Sequence, residues 1–353
     1  MKTVPVVGVL GLGVVCAACG ATGSSPQMKA EKELAEMKPG ASAEQSMTGQ
    51  EDEARDMVAM TEGQAVIKVR GAANSPTIAT PVDATPDPDG ENVFYLATSE
   101  GDDGVVGSLY RARGDGSDIK PLLIGAPLSS PMGVAIALDG ETLFVADMTA
   151  TGEGAILHGP SGGGSGSFAA LTGTEGLAPR AVSVAEVDDR EWVYFTGSTR
   201  DGEGAAVYRV ASGSEAPEEV ASGAPLVAPA GVVATRAGVV YTIDALADDG
   251  DAALLRIEDG AVTTVVGKLG VGFPAGLTLD MAEQVALVSG LSPQTGRDVV
   301  YVVDLQSGKL SEIDEPVSAF AEPAGLHRAH NANVFAWADS EANDTGTVFV
   351  LSL

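Results

Sequence analysis

Short apolar runs separated by Gly-, Asp- and Pro-rich turns dominate the chain beyond residue 60. Each run is too short for a typical globular helix and is rich in Val, Ala and aromatic residues, the composition of buried strands. Turn pairs such as Asp139-Gly140 and Asp89-Gly90 separate neighbouring runs and predict tight hairpins. The pattern therefore predicts an all-β structure.

One unit of this pattern recurs six times. Each unit starts with a Pro and continues with an apolar strand, a turn, a second strand, a Gly/Asp-rich loop and a third strand. The units begin near residues 81, 131, 179, 229, 274 and 323, at intervals of 45 to 50 residues. A period of about 40–50 residues with four strands per unit is typical of a propeller blade. We therefore predict a six-bladed β-propeller with four-stranded blades over residues 61–353.

The ends of the repeat region predict how the ring closes. After residue 323 the chain is long enough for three strands only, whereas an unassigned β-rich segment, residues 64–70, precedes the first unit. We expect this N-terminal strand to become the outer strand of the sixth blade. Such pairing removes an open sheet edge, which would otherwise promote aggregation.

The blade sequence resembles the NHL-repeat and gluconolactonase-like (SMP-30-like) six-bladed propellers. The resemblance is carried by residues 131–147, PMGVAIALDGETLFVAD. In gluconolactonase-like enzymes, Asn and Asp before a Gly at the start of the inner strands help to bind a catalytic divalent metal. The matching positions hold no plausible metal ligand: they are Val82, Met132, Arg180, Ala230, Ala275 and Ala324. The resemblance therefore implies the fold, and the catalytic site does not carry over.

One position at the end of the second strand alternates from blade to blade, and Asp occupies it in blades two, four and six: Asp147, Asp244 and Asp339. Three carboxylates around a channel mouth could coordinate Ca²⁺ or another divalent cation. Alternatively, each Asp caps its own loop by accepting backbone N–H bonds. Cation binding by these residues is the basis of our alternative function, a metal-dependent lactonase or esterase. We assign no catalytic residue for that activity.

The loops between the second and third strands are long and acidic. In a propeller these loops and the connections between blades lie at one end, which we call the loop face. Its candidate binding residues are Asp102, Asp103, Asp201, Glu203, Asp248, Asp249 and Asp251. They predict an electronegative surface for a cation, a basic peptide or a protein partner. The alternative is a solvated rim on an acidic protein.

Composition narrows the function further. The 353 residues include 49 Asp and Glu but only 20 Lys and Arg, so the net charge is −29. This charge repels nucleic-acid phosphates and argues against nucleic-acid binding. Both Cys lie within the first 20 residues, so the rest of the chain holds no thiolate metal site or Cys nucleophile.

Few other side chains suggest chemistry. His327 and His330 lie three positions apart, and on one strand this spacing directs them to opposite faces. Glu186, Arg236 and His330 occupy equivalent positions after the first strand of their blades. We expect these three to reach the channel mouth opposite the loop face, where their mixed types predict local pairing.

The N-terminus predicts a processing signal. Residues 1–18 combine Lys2 with an apolar run that is too short to span a bilayer but suits a signal peptide. Residues 16–20, CAACG, resemble a bacterial lipobox, which implies acylation of Cys19; an ordinary signal peptide cut near residue 18 is the alternative. The lipobox resemblance, with Gly20 after the Cys, implies the outer membrane.

Residues 19–60 lack aromatic residues and predict a flexible tether, with short helices at 27–38 and 43–60. We therefore expect a monomeric, lipid-anchored protein of the bacterial cell envelope, periplasmic or surface-facing. Acylated Cys19 would contact the bilayer, and the propeller would act as a binding module through its loop face. No cofactor is required by this reading.

Overall fold

Antiparallel strands account for nearly all of the regular structure. The computed structural model describes residues 57–59, 67–73, 80–101, 104–164, 166–211, 216–272, 275–292, 294–295, 298–313, 323–340, 342 and 346–352. The predicted signal peptide, Cys19, Asp102 and Asp103 lie outside the described residues. Within the described ranges, no helix has the length and apolar character needed to cross a membrane.

In chain order the first fourteen strands are β1 (Met57–Ala59), β2 (Ile67–Ala73), β3 (Thr80–Pro86), β4 (Asn92–Gly101), β5 (Gly104–Arg113), β6 (Lys120–Ile124), β7 (Pro131–Ile136), β8 (Thr142–Asp147), β9 (Ala155–Pro160), β10 (Ala169–Ala170), β11 (Val182–Val187), β12 (Arg190–Ser198), β13 (Ala205–Ala211) and β14 (Glu218–Ser222). The others are β15 (Pro229–Ala234), β16 (Val240–Asp248), β17 (Asp251–Glu258), β18 (Ala261–Leu269), β19 (Leu277–Leu279), β20 (Val285–Leu291), β21 (Asp298–Asp304), β22 (Leu310–Ile313), β23 (Pro323–Arg328), β24 (Val334–Asp339) and β25 (Thr347–Ser352). A 3-10 turn, Ala150–Gly152, follows β8.

These strands form six antiparallel sheets, and the predicted six-bladed β-propeller is confirmed. Blades 1 to 5 each contain four consecutive strands, from β3–β6 through β19–β22, and blade 6 contains β23, β24, β25 and β2. The first strands of successive blades contact one another around the ring, including β23 of the last blade with β3 of the first. They begin at residues 80, 131, 182, 229, 277 and 323, within three residues of the prolines that mark the repeats.

The N-terminal strand closes the ring as predicted. β2 runs antiparallel to β25, with Lys68 opposite Ser352 and Val69 opposite Leu351. An additional strand, β1, pairs with the outer edge of β2. It lies where the sequence predicted the end of the tether and a short helix at 43–60. A short isolated helix is only marginally stable in water, whereas a strand that pairs with an existing sheet edge gains backbone hydrogen bonds from that sheet.

The core lies between the blades. Among the described residues, the buried apolar side chains form six clusters, and each cluster joins two adjacent blades. The seam between blades 6 and 1 is filled by Ala84, Tyr95 and Val350, among others. Because the inner part of each sheet is covered on both faces, second strands such as β8 and β24 are buried nearly throughout rather than alternating, whereas outer strands such as β14 and β18 are largely exposed. This packing holds the first strands around a central channel.

Candidate functional site

The alternating Asp residues are part of the loop scaffold. Asp147 is fully buried at the end of β8. Its carboxylate accepts backbone N–H bonds from Ser129 at 2.8 Å and Ser130 at 2.9 Å, in the connection from blade 1. It also accepts them from Thr149 at 3.0 Å and Ala150 at 2.8 Å, in the loop that follows β8. One buried charge therefore ties two loops together through charge-assisted hydrogen bonds.

Asp244 and Asp339 repeat this arrangement in blades 4 and 6. Asp244 accepts N–H bonds from Val227 at 2.7 Å and from Leu246 at 3.0 Å. Asp339 accepts one from Ala342 at 2.8 Å. Both Asp side chains are fully buried. These are the contacts expected of the loop-capping alternative, and no three His, Cys, Asp or Glu side chains converge as a metal site within the described ranges.

In blades 3 and 5 the equivalent loops are held by close contact between two backbone segments. A Cβ at Gly197 would overlap the carbonyl oxygen of Leu177, and a Cβ at Gly290 would overlap that of Gly270. The backbone N–H of Ser198 donates to Leu177 O at 2.7 Å. A carboxylate cannot fit in that space. The alternation of Asp and Gly in blades 2 to 6 thus reflects two ways of anchoring a loop.

The acidic residues of the loops are more exposed. Asp201 accepts bonds from the Thr199 hydroxyl at 2.6 Å and the Glu203 N–H at 3.1 Å. The hydroxyl bond is the main reason why the pKa of Asp201 is lowered. Asp248 is half-buried, whereas the other described candidates are exposed: Asp201, Glu203, Asp249 and Asp251. The described acidic residues of these loops are therefore at least partly accessible to solvent.

Large apolar side chains are also exposed on the loop face. Seven such residues are exposed in the described part of the chain, and five lie in loops or strand ends of this face: Val105, Ile124, Val227, Leu246 and Leu291. Their exposed fractions range from 44% to 63%. The other two, Met281 and Leu310, lie at the opposite end. The loop face therefore combines negative charge with exposed apolar groups, a combination that the sequence analysis missed.

The channel is narrow where the first strands begin. A cavity of about 10 Å³ there is lined by Met132, Arg180, Ala230 and Ala275, four of the positions that correspond to the gluconolactonase-like metal site. This volume is at the lower limit for one water molecule. The inner end of this cavity is formed by Asp83 and His327.

Asp83 and His327 cross the closing seam of the ring. Nε2 of His327, on β23, lies 3.1 Å from Oδ2 of Asp83, on β3. The same oxygen accepts the Val134 N–H of blade 2 at 2.7 Å, and Oδ1 accepts the Ala84 N–H at 2.8 Å. Asp83 is only 2% exposed. It therefore links three blades at the axis.

The channel widens at its other end, which we call the hairpin mouth because the turns between first and second strands surround it. The cavity there has a volume of about 200 Å³. Its apolar wall includes Ile136, Val184, Val233, Leu277 and Leu279. Its charged and imidazole groups are Glu186, Arg236, Glu283, His327, Arg328 and His330. The placement of Glu186, Arg236 and His330 at this mouth agrees with the sequence analysis.

The two imidazoles share this cavity, although strand alternation predicted opposite faces. That prediction was wrong because β23 ends at Arg328, so His330 belongs to the following turn. Nε2 of His330 lies 3.0 Å from the carbonyl oxygen of Ile136 and donates to it. Burial is the main reason why the pKa of His330 is lowered. A neutral imidazole is therefore favoured here.

Arg328 was not singled out by the sequence analysis. Its Nε donates to the Leu279 carbonyl at 2.8 Å, and its Nη1 contacts the carbonyls of Ala329, His330 and Ala332. No carboxylate of a described residue forms an ion pair with it. Burial lowers the pKa of the guanidinium, which nevertheless stays charged because arginine is not deprotonated in proteins.

Arg236 and Glu283 form a long ion pair at the rim of the cavity. Nε of Arg236 lies 4.0 Å from Oε1 of Glu283, and the backbone N–H of Arg236 donates to the same oxygen at 3.1 Å. Glu186 is exposed. The cavity therefore carries the half-buried guanidinium of Arg328, while Glu186 is exposed to solvent and Glu283 is engaged with Arg236.

Comparison with known proteins shows similarity to solved structures at the level of the fold. No family model matches the sequence, and no curated protein sequence matches it. The solved structure of a gluconolactonase from Xanthomonas campestris matches with a TM-score of 0.55 and 15% identity, over 81% of this chain and 90% of that one. TolB from Acinetobacter baumannii matches with a TM-score of 0.51 and 15% identity, over 77% of this chain and 63% of that one.

An oligogalacturonate lyase from Vibrio parahaemolyticus matches with a TM-score of 0.50 and 8% identity, over 85% of this chain and 97% of that one. The shared property is the fold. At these identities the likeness does not extend to activity, since propellers support unrelated functions.

Proposed function

We propose that the protein is a lipid-anchored component of the bacterial cell envelope whose propeller binds a basic, amphipathic peptide or protein segment through the loop face. The observation that carries the proposal is the coincidence of exposed apolar and acidic side chains on that face. Five of the seven exposed large apolar side chains of the described chain lie there, beside Asp201, Glu203, Asp249 and Asp251.

The loop scaffold supports this role. The carboxylates of Asp147, Asp244 and Asp339 accept hydrogen bonds from backbone N–H groups of the loops. The exposed groups therefore lie on an ordered surface. A preordered surface loses less conformational entropy on binding than a mobile one. Acidic groups around apolar anchors accelerate the approach of a cationic partner and restrict the choice of partner.

Anchoring rests on the resemblance of residues 16–20 to a lipobox. Expression in a bacterium with a labelled fatty acid should place the label on the protein, and Cys19→Ser should abolish it. A protein cut near residue 18 without label would disprove the anchor but leave the loop-face proposal standing.

The binding proposal is tested with a fluorescent peptide of alternating Lys and Leu, and with a Glu/Leu peptide of the same length. Anisotropy should show saturable binding of the first to the full chain and none of the second. Replacing Val227, Leu246 and Leu291 together by Ser should weaken binding by about tenfold or more, because these changes remove apolar anchors and leave every charge in place.

The matched control replaces Met281 and Leu310, exposed apolar residues at the other end, by Ser. This variant should bind the Lys/Leu peptide as the wild type does. If both variants bind alike, the attraction is a property of the net charge of −29, and the proposal is wrong.

The hydrolase alternative draws no support from the geometry. The Asp carboxylates that would hold a metal are engaged with backbone N–H groups, and the positions matching the gluconolactonase-like ligands are occupied by residues such as Met132 and Ala230. Turnover of lactones or aryl esters with Ca²⁺, Zn²⁺ or Mn²⁺ would reinstate it.

A further inference from the structure

We infer that the cavity at the hairpin mouth is a second binding site, for a small organic carboxylate with an apolar body. This site lies at the opposite end of the channel from the loop face, and the inference does not depend on the loop-face proposal. Three features carry it: a guanidinium whose bonded neighbours are all neutral, a pocket of about 200 Å³ that opens to solvent, and apolar side chains in the lining of that pocket.

The guanidinium of Arg328 is the anchor. Its hydrogen bonds use Nε and Nη1 and go only to carbonyl oxygens. Nη2 makes no hydrogen bond to a described residue, and no described carboxylate lies within ion-pair distance of the group. In a chain where acidic residues outnumber basic ones by more than two to one, a half-buried Arg without an ion pair to any described carboxylate can accept an anion as its partner.

The acidic groups near Arg328 have other partners or are exposed at the rim. Asp280 accepts the backbone N–H bonds of Gln284 at 2.8 Å and Val285 at 2.9 Å. Glu283 accepts the Arg236 backbone N–H and faces its side chain at 4.0 Å. Asp83 is bonded to His327. Glu186 is exposed at the rim. None of them forms a bond with the guanidinium, so a ligand carboxylate can neutralise it.

The cavity selects for a small, partly apolar ligand. Its volume of about 200 Å³ corresponds to roughly six or seven water molecules, or on the order of ten non-hydrogen atoms. Ile136, Val184, Val233 and Leu277 line it, and they favour an aromatic or short aliphatic body. One guanidinium without an ion pair, beside these apolar side chains, matches one carboxylate better than a polyanion.

Benzoate, benzyl alcohol and inorganic phosphate form the test set. The alcohol keeps the ring without the charge, and phosphate keeps charge without the ring. Calorimetry and saturation-transfer NMR on the full chain should show benzoate binding at least about tenfold tighter than either comparison compound. Absence of benzoate binding at several millimolar, or equal binding of benzyl alcohol or phosphate, would overturn the inference.

Arg328→Gln should weaken benzoate binding by about tenfold or more, and Arg328→Lys should retain part of it. Arg200→Gln, on the loop face, is the matched control and should bind as the wild type does. If Arg328→Gln does not fold, Leu138→Trp serves instead, because the larger ring at the half-buried lining position Leu138 narrows the mouth and should lower affinity equally. Unchanged affinity in the folded variants would also contradict the site.

Discussion

The two ends of the propeller axis treat charge in opposite ways. On the loop face the carboxylates are numerous, but the buried ones are bonded to backbone N–H groups and the others are mostly in solvent. At the hairpin mouth the charged side chains line a pocket, and the hydrogen bonds of Arg328 go only to neutral carbonyl groups. The abundance of a charge therefore does not identify a small-molecule site.

The two ends differ in how far solvent surrounds their charged groups. An exposed carboxylate interacts through water and is screened by salt, so it contributes to partner choice and association rate. A charge in a cavity interacts through a medium of lower effective dielectric, where one ligand group can balance it. We assign a broad protein-binding surface to one end and a small-molecule site to the other, and four predictions separate the two.

The largest effect is expected at the axis, where the first strands meet. Gly325 has φ of +56°, and a Cβ there would overlap the carboxylate of Asp83. Gly325→Ala should lower the free energy of unfolding by about 4 kcal/mol, since it adds left-handed strain and disrupts the buried hydrogen bonds of the Asp83 carboxyl group. The control is Gly125→Ala, which has φ of +74° and open space and should cost about 1 kcal/mol. Urea denaturation measures both, and equal losses would contradict the close packing at the axis.

The next effect concerns the loop face. Asp147→Ala leaves four backbone N–H groups without their acceptor and should cost about 3 kcal/mol. The exposed Asp201→Ala should cost about 0.5 kcal/mol. Ca²⁺ titration after EDTA should leave the melting temperature of the wild type unchanged. A rise that Asp147→Ala abolishes would show that the alternating Asp residues bind metal.

A smaller effect is expected in the pH dependence of the free energy of unfolding, to which His330 contributes. Because burial holds the pKa of His330 below the ordinary value of 6.5, the unfolded chain binds more protons as the pH falls below 6.5. The free energy of unfolding should therefore decrease from about pH 7 to pH 5, and less steeply in His330→Gln. His158→Gln, on β9 away from the cavity, controls for loss of an imidazole. Identical slopes for His330→Gln and wild type would contradict the burial of His330.

The smallest effect on stability is expected for the apolar side chains of the loop face. Val227 and Leu246 are 55% and 48% exposed, so replacing both by Ser should change the free energy of unfolding by less than about 0.5 kcal/mol. Chemical denaturation checks this directly. A large loss would mean that these residues hold the fold together rather than serve a partner.

Much of the architecture could be read from local patterns. The Pro-led repeat located the first strand of each blade, and the surplus segment at 64–70 located the closing strand, β2. The short strand β1 was missed because its three residues carry no pattern of their own and depend on the edge of β2.

The candidate sites were less predictable. One signal for Asp83 was present in the sequence, since the third residue of each repeat is otherwise Gly or Ala: Gly133, Ala181, Gly231, Gly276 and Gly325. An Asp in that series marks a side chain at the axis. Arg328 offers no such signal, because its importance comes from partners on another blade and in its own turn.

The sequence by itself determined the number of blades, the closing strand and the negative charge of the loops, because each depends on residues that are neighbours along the chain or repeat at a fixed period. Only the tertiary structure decided that the alternating Asp carboxylates are bonded to backbone N–H groups, that His327 and His330 share one cavity, and that Arg328 lies there without an ion pair to any described carboxylate. Those properties depend on groups far apart in the chain, and on the space between them, which the closing of the ring creates.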